Sequence, residues 1–228
     1  MAMKRTDRLL RPPRLGRKLQ RAFKYAAEQH AGQTRKRTAV PYLSHLMAVS
    51  SLVLEAGGDE DLAIAALLHD VVEDCGGMAR LREISKMFGA RVAKIVDGCT
   101  DAYGDPKPEW LQRKKDYLRR LEKEDAETRL VSVCDKLHNV RSVLADYRQE
   151  GEGVWARFTG KKEGTLWYYR ALSQEFQRRG RNRVSNELAI AVASLYSAVE
   201  QTERSAEPSS KAVSKKALVN KAAARAGR

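Results

Sequence analysis

Apolar residues recur at spacings of three and four along most of the chain, a pattern typical of amphipathic α-helices. A first predicted helix stops near Gly32, and a second runs from Pro41 to Gly57. A third is capped by Asp59 and runs to about Asp74. Further helices are predicted at about 78–88, 90–97, 108–124, 126–148, 162–179 and 184–202. Alternating runs, β-branched clusters and hairpin dipeptides are scarce, so we predict an all-α domain of about eight to nine helices.

The third predicted helix differs from the others because its middle is apolar on nearly all sides. Its apolar residues are Leu62, Ile64, Ala65, Leu67 and Leu68. A helix that is hydrophobic all round is buried, so we expect this helix at the centre of the bundle. Hydrophobic residues make up 43% of the chain, which is enough for a sizeable core.

Positive charge is concentrated at the two ends of the chain. The net charge is +14, of which residues 1–24 carry +8 and residues 205–228 carry +5, leaving +1 between them. We therefore expect a basic flexible arm over 1–16, a helical domain over 17–204 and a basic tail from 205. The tail has too few large apolar residues to fold alone. Such ends would bind polyanions such as RNA weakly and in a salt-dependent way, although neither holds a motif that reads nucleic acid.

The sequence carries no sign of a membrane or secretory protein. No apolar run approaches the ~20 residues that span a bilayer, and the basic N-terminus lacks the apolar stretch of a signal peptide. Cys75, Cys99 and Cys134 are far apart and form no CxxC pair, which disfavours a disulfide framework or zinc ribbon. We expect a soluble, cytoplasmic protein with reduced thiols; the sequence does not indicate its oligomeric state.

The clearest chemical feature is the sequence HDVVED that ends the third predicted helix. Residues three and four apart share a helix face, so four ionisable side chains converge on one patch: His69, Asp70, Glu73 and Asp74. Burying such groups is unfavourable unless something compensates. A divalent cation would do so, since it accepts imidazole and carboxylate ligands. The alternative is a solvated helix end whose carboxylates face water.

Two further residues favour a metal site. His45 lies among apolar neighbours on the preceding helix, and Asp135 lies within another apolar helix. An unpaired buried carboxylate is strongly unfavourable or has a shifted pKa, so Asp135 requires a metal or a basic partner. Two imidazoles and two carboxylates from three helices would make an octahedral site with positions left for water.

The order H…HD…D resembles the pattern of the HD phosphohydrolase superfamily. In more detail, the chain is similar to the hydrolase domain of RelA/SpoT-type alarmone enzymes over roughly residues 18–200. The segments that carry this similarity are AEQHAGQTRK (27–36), PYLSH (41–45), AALLHDVVED (65–74), FG (88–89) and DKLHN (135–139). Since there is no room for the synthetase and regulatory domains of the large members, the chain resembles the small, hydrolase-only members.

The resemblance implies an HD-domain helical bundle that removes the 3′-pyrophosphate from guanosine tetra- and pentaphosphate, (p)ppGpp, with one Mn²⁺ ion. The implied metal ligands are His45, His69, Asp70 and Asp135. The implied catalytic pair, which orients and deprotonates the attacking water, is Glu73 and Asp74. A carboxylate beside a metal suits that role because the metal acidifies water and the carboxylate takes the proton.

The resemblance also implies contacts to the nucleotide from Arg35, Lys36, Tyr42 and Asn139. The Arg35 guanidinium would stack on a purine and Lys36 would bind phosphate; the alternative for both is an exposed basic loop. Neither His30 nor His138 supplies the metal in the family pattern. We expect His30 to pack at a helix end and His138 to be a hydrogen-bonded neighbour of the site.

Two groups of residues receive no individual role from the sequence. The basic residues Lys107, Arg113, Lys114, Lys161 and Lys162 are candidates for contacting phosphate. The aromatic and basic cluster from Trp155 to Tyr169 is either packing core or a lid over base and phosphate.

Other functions remain open from the sequence. The same site could act on another nucleotide, such as the 2′-phosphate of NADPH, an adenosine alarmone or a 3′-phosphorylated RNA end, because pocket shape rather than the metal selects the base. From a different class, the chain could be a binding or antitoxin module, or associate with nucleic acid through its basic ends.

Overall fold

The structure is a computed structural model that describes residues 14–101, 103 and 108–206. The predicted basic arm and tail lie almost entirely outside the described residues, as does Lys107. The α-helices are Arg17–Gln29 (α1), Leu43–Glu55 (α2), Glu60–Leu68 (α3), Val71–Cys75 (α4), Gly77–Phe88 (α5), Ala90–Cys99 (α6), Trp110–Leu121 (α7), Ala126–Glu150 (α8), Lys161–Arg179 (α9) and Arg183–Ala206 (α10). A 3-10 helix, Gly151–Arg157, joins α8 to the segment before α9.

The all-α prediction is confirmed for the described ranges, where the β-structure is limited to one isolated bridge between Thr34 and Pro41. In those same ranges, no helix combines the length and hydropathy that crossing a membrane requires. The cysteines Cys75, Cys99 and Cys134 are free thiols.

Helix α3 lies at the centre of the bundle, as its apolar sequence predicts. All residues from Leu62 to Leu68 are buried, and the helix packs against α1, α2, α6 and α8. The Asp59 carboxylate caps its first turn by accepting a hydrogen bond from the Leu62 N–H, which stabilises a helix by about 1 kcal/mol. This buried helix fixes the position of the residue that follows it, His69.

The third predicted helix does not run unbroken to Asp74, as the sequence pattern suggested. It divides into α3 and α4, with His69 and Asp70 in a turn between them. The Nδ1 atom of His69 lies 2.7 Å from the Ala66 carbonyl oxygen, the group that would accept the Asp70 N–H in a continuous helix. The imidazole therefore occupies that acceptor, and the helix reforms only at Val71.

Helix α8 is the longest helix and forms one side of the core. Its N-terminus is capped by Asp125, which accepts from the Thr128 N–H. It packs against α2, α3, α6, α9 and α10. Asp135 and Asn139 lie one turn apart in its middle, among buried apolar neighbours such as Val133 and Leu137. The helix therefore holds a carboxylate inside the bundle, next to α2 and α3.

Candidate metal centre and adjoining cleft

The four predicted metal ligands come together in the structure from three parts of the bundle. His45 lies on α2, His69 and Asp70 in the turn between α3 and α4, and Asp135 on α8. His45 Nε2 is 3.2 Å from Asp135 Oδ1 and 3.6 Å from Asp70 Oδ2. His69 Nε2 is 3.0 Å from Asp70 Oδ2 and 3.6 Å from Asp135 Oδ1. We call these four residues the metal centre.

The imidazoles of the metal centre fit the coordination of a cation. Both Nε2 atoms are fully buried, and neither makes a hydrogen bond within the part of the chain that the structure describes. Buried nitrogens without a partner are rare, whereas a cation between imidazole and carboxylate would satisfy all four groups. His69 donates through Nδ1 to the Ala66 carbonyl, which leaves the lone pair on Nε2, as metal-binding histidines require.

His138 contacts the Nδ1 side of the His45 ring and orients it. The sequence predicted this role of a hydrogen-bonded neighbour. The two Nδ1 atoms are 2.8 Å apart. Burial lowers the pKa of His138 to about 4, so its ring is neutral near pH 7 and can accept the Nδ1–H of His45. That leaves the Nε2 lone pair of His45 facing the carboxylates.

The two carboxylates are held in their charged form. Burial opposes ionisation, but the charge of His69 holds the pKa of Asp70 well below its usual range, and Lys136 does the same for Asp135. Burial also opposes charge on His69, while Asp70 raises the pKa of its ring well above the usual value. A proton on His69 and a divalent cation are thus alternative ways to balance these two carboxylates.

Three side chains position the carboxylates and also line the cleft beside them. The Tyr42 hydroxyl donates to Asp70 Oδ2 at 2.5 Å, while Asn139 Nδ2 donates to Asp135 Oδ1. Lys136 Nζ lies 2.6 Å from Asp135 Oδ2. Asp135 therefore has a basic partner, but on the oxygen that does not face the imidazoles. A cation at the metal centre and the ion pair with Lys136 are compatible.

Glu73 and Asp74 both line the same cleft. Glu73 Oε2 accepts the Asp101 N–H at 3.1 Å, and Asp74 Oδ2 accepts a hydrogen bond from the Gln33 amide at 2.9 Å. Glu73 and Asp74 follow His69 and Asp70 by one helical turn, and the Asp74 N–H donates a hydrogen bond to the Asp70 carbonyl. Helix α4 thus holds two carboxylates beside the metal centre, each fixed by a group from another segment.

The cleft beside the metal centre has a volume of about 480 Å³. Six basic side chains line it: Arg35, Lys36, Arg113, Lys114, Lys136 and Arg157. Five aromatic side chains do so as well: Tyr42, Trp110, Phe158, Tyr168 and Tyr169. Clustered cations and ring faces suit a ligand that carries several phosphates and a base.

The four predicted nucleotide contacts all lie on this cleft: Arg35, Lys36, Tyr42 and Asn139. Arg35 donates to Asn139 Oδ1 at 2.9 Å, and its guanidinium lies 5.8 Å from the centre of the Tyr42 ring. Arg35 is therefore tied to Asp135 through Asn139. Since Tyr42 and Asn139 bind metal-centre carboxylates, the structure gives each a positioning contact that the sequence did not indicate.

The structure separates the basic residues that the sequence left unassigned into those that line the cleft and those that do not. Arg113 and Lys114 line the cleft and both bind Asp101 Oδ2, at 2.6 and 2.8 Å. Lys162 instead pairs with Glu152 and Glu203, and Lys161 is not among the described residues that line the cleft.

The aromatic cluster near the start of α9 is divided in the same way. Phe158, Tyr168 and Tyr169 line the cleft, whereas Trp155 packs in the core against Tyr147. The prediction of a packing core is thus confirmed for Trp155, and other members of the cluster line the cleft. His30 packs at the end of α1 with Nδ1 2.6 Å from Gln33 Oε1, and its ring stacks on Tyr42.

Sequence reasoning missed several residues of the cleft and its support, among them Asp101, Lys136 and Arg157. Lys136 carried a usable signal, because a lysine next to a buried aspartate on an apolar helix has a ready partner. Asp101 carried none, since its partners lie twelve and thirteen residues further along the chain. Burial opposes its ionisation, but Lys114 lowers the pKa of Asp101 below its usual value.

Comparison with known proteins gives a consistent family and fold. The HD domain family matches residues 22–166. A guanosine-3′,5′-bis(diphosphate) 3′-pyrophosphohydrolase of Aquifex aeolicus is 36% identical over 141 residues, which are 60% of this chain and 19% of that protein. The chain thus spans about a fifth of the length of that relative. The protein MESH1 of Mus musculus, with the same enzyme name, is 32% identical over 171 residues, or 70% of this chain and 93% of the relative.

Solved structures agree with these sequence matches. A metazoan ortholog of SpoT, described as hydrolysing ppGpp, superposes with a TM-score of 0.65 and 27% identity, over 78% of this chain and 95% of the other. The protein lmo0812 of Listeria monocytogenes superposes with a TM-score of 0.59 and 26% identity, over 70% of this chain and 99% of the other.

Proposed function

The chain belongs to the HD domain family, and from that premise we propose that it is a metal-dependent hydrolase that removes the 3′-pyrophosphate of guanosine tetra- and pentaphosphate. One observation carries the proposal. Two buried imidazole nitrogens without hydrogen bonds in the described ranges lie 3.0–3.6 Å from two carboxylate oxygens, beside a cleft with six basic side chains. The relatives named for this reaction support the choice of substrate.

The four residues of the metal centre would hold the cation, which we propose to be Mn²⁺. A set of two imidazoles and two carboxylates suits a borderline divalent ion with open positions. When bound, the ion supplies Lewis-acid chemistry, lowering the pKa of water towards ~7 and neutralising charge on phosphoryl oxygens. Tyr42 and Asn139 would keep the two carboxylates in place by the hydrogen bonds they donate, and such outer contacts strengthen metal sites.

Glu73 is the proposed general base and Asp74 its partner in orienting the attacking water. Both carboxylates line the cleft one helical turn after the metal centre. The Asp101 N–H fixes one Glu73 oxygen, so the carboxylate keeps one direction towards the cleft. A positioned carboxylate that accepts the proton of water contributes about 10²- to 10⁴-fold to a rate.

The basic side chains of the cleft are the proposed phosphate contacts. Arg35 and Lys36 lie on the loop between α1 and α2, while Arg113 and Lys114 lie on α7. Arg37, beside the first pair, donates to the Ala156 carbonyl at 3.0 Å and ties that loop to the 3-10 helix. Cations from separate segments would bind phosphates at separate positions of one nucleotide, as a 3′,5′-bis(diphosphate) requires.

The decisive experiment measures pyrophosphate release from guanosine tetraphosphate by the purified full chain with Mn²⁺, and phosphate release from NADPH in parallel. We expect pyrophosphate release that stops when a chelator removes divalent ions and returns when Mn²⁺ is added. Phosphate release from NADPH alone would assign the site to the other nucleotide substrate. Absence of both reactions, with metal bound, would favour a binding module and overturn the proposal.

A further inference from the structure

The indole of Trp110 lies against two glycines of the neighbouring helix. Trp110 is the first residue of α7, Gly160 precedes α9, and Gly164 lies in the first turn of α9. A Cβ atom on Gly160 would lie 2.6 Å from both Cη2 and Cζ2 of the indole. A Cβ on Gly164 would lie 3.1 Å from Cη2 and Cζ3. A side chain at position 160 would therefore require the indole to shift, whereas at position 164 a shift of a few tenths of an ångström would make room for a Cβ.

Backbone conformation does not account for these two glycines. Gly160 has φ −72°, which any residue adopts, and Gly164 has no positive φ. Within a helix, glycine is less favourable than alanine by about 1 kcal/mol, so Gly164 weakens the first turn of α9. The compensation visible in the structure is the close approach of the Trp110 ring, which packs edge-on against Trp167 and Tyr168 as well.

The contact lies one turn away from the cations of the cleft. Lys114 follows Trp110 by four residues on α7, and Tyr168 follows Gly164 by four residues on α9. Lys114 Nζ lies 4.9 Å from the centre of the Tyr168 ring. The two helices therefore meet in register, with the indole on the glycines and the ammonium over the tyrosine. The main helix contact of α7 in the described residues is with α9.

From Lys114 the contacts continue to the proposed base. Lys114 and Arg113 bind Asp101 Oδ2, and the Asp101 N–H binds Glu73 Oε2. A shift of α7 along or away from α9 would move both cations and the residue that fixes Glu73. Misplacement by about 1 Å can lower a catalysed rate 10²-fold.

We propose that Trp110 and its two glycines are a positioning device: the indole, seated on Gly160 and Gly164, sets where α7 presents Arg113 and Lys114 to the substrate phosphates. This inference rests on the proposed function, since it assigns the two cations to phosphate. Trp110 acts through α7 rather than on the reacting atoms, and the device requires one large ring and two glycines four residues apart.

The first test compares Gly160→Ala and Gly164→Ala with Gly153→Ala. A Cβ on Gly153 would meet nothing within 4 Å, and its φ is not positive, so this variant is a matched control. We expect kcat/KM for guanosine tetraphosphate to fall about 10- to 100-fold in Gly160→Ala, mainly through KM, and less in Gly164→Ala. Mn²⁺ content should not change, because the metal centre lies on α2, the turn between α3 and α4, and α8. Gly153→Ala should match the wild type.

The second test asks whether a smaller ring restores the variants. Trp110→Phe removes the ring atoms that a Cβ would meet. Adding it to Gly160→Ala should therefore bring the raised KM most of the way back to the wild-type value. Trp110→Phe alone should raise KM a few-fold. Such coupling between substitutions is the signature of a direct contact. Equal KM in Gly160→Ala and Gly153→Ala, lost thermal stability with unchanged KM, or no recovery in the double variant would each overturn the proposal.

The same variants separate this inference from the proposed reaction. The affinity for inorganic pyrophosphate, measured by calorimetric titration of the Mn²⁺-loaded chain, tests phosphate binding by Arg113 and Lys114 without any turnover. If the wild type hydrolyses no nucleotide but Gly160→Ala still weakens pyrophosphate binding about tenfold relative to Gly153→Ala, the proposed function fails while the positioning device stands. If pyrophosphate binds both variants equally, the device fails.

Discussion

Two sets of acidic side chains lie near the cleft, and their negative charge is balanced in different ways. At the metal centre, Asp70 and Asp135 face two imidazoles whose Nε2 atoms have no hydrogen-bond partner in the described residues. The carboxylate of Asp101 is instead balanced by Arg113 and Lys114, which reach it from α7. The first arrangement leaves room for a cation from solution. The second carries its own cations, which also line the cleft.

The difference shows two ways in which carboxylates beside one cleft are kept charged, by histidines and by lysine and arginine. Metal coordination needs fixed distances, and the metal-centre residues lie within or next to buried helices of the core. The Asp101 cluster (Asp101, Arg113 and Lys114) depends on ion pairs between a segment after α6 and the N-terminal half of α7. Charged pairs fixed in this way stay partly available to a phosphate, which can replace or share the carboxylate.

The largest effect should come from removing a carboxylate of the metal centre. In Asp135→Ala, we expect loss of bound Mn²⁺ and of turnover, because the two imidazoles lose an anionic partner. Mass spectrometry measures the bound metal, and a pyrophosphate-release assay measures turnover. Lys136→Met is the informative comparison, since Lys136 binds the other carboxylate oxygen: it should retain the metal. Full metal content in both Asp135→Ala and the isosteric Asp135→Asn would show that the ligand set is wrong.

The next effect concerns Glu73, which lies between the two regions. Glu73→Gln keeps the shape and the hydrogen bond from the Asp101 N–H but removes the base. We expect kcat to fall about 10²- to 10⁴-fold, with Mn²⁺ content and KM nearly unchanged. Glu83→Gln, on the surface of α5, is a control that should leave kcat intact. A loss of metal in Glu73→Gln would instead place Glu73 among the ligands.

The smallest effect should follow from Asp101→Asn, which removes the carboxylate shared by Arg113 and Lys114 and leaves Arg113 only the more distant Glu73, at 4.0 Å. We expect kcat/KM to fall about 10- to 100-fold, mostly in KM, with the metal still bound. Asp116→Asn, on an exposed part of α7, should behave as the wild type in the same kinetic assay. Should Asp101→Asn lose its metal, the two regions would be one unit and the contrast between them would fail.

Much of the architecture follows from local sequence patterns. The helical periods of three and four predicted the helices that the structure contains, and the all-round apolar sequence of α3 predicted its central place. The break at His69 was not predicted, because periodicity does not report that an imidazole takes the Ala66 carbonyl. That hydrogen bond depends on a side-chain rotamer, and the turn it makes places Asp70 beside His45.

The sequence by itself determined which four residues to group as candidate metal ligands, because histidine and aspartate within apolar helices need a partner and the resemblance to the family names them; the structure brings these four side chains together. Only the tertiary structure decided which residues line the cleft and which residues support them. Asp101 with Arg113, Asn139 with Arg35, and Trp110 with its glycines pair residues from different segments. Periodicity within one helix reports burial, whereas contacts between segments depend on how the helices pack, and no local pattern in a single chain encodes that packing.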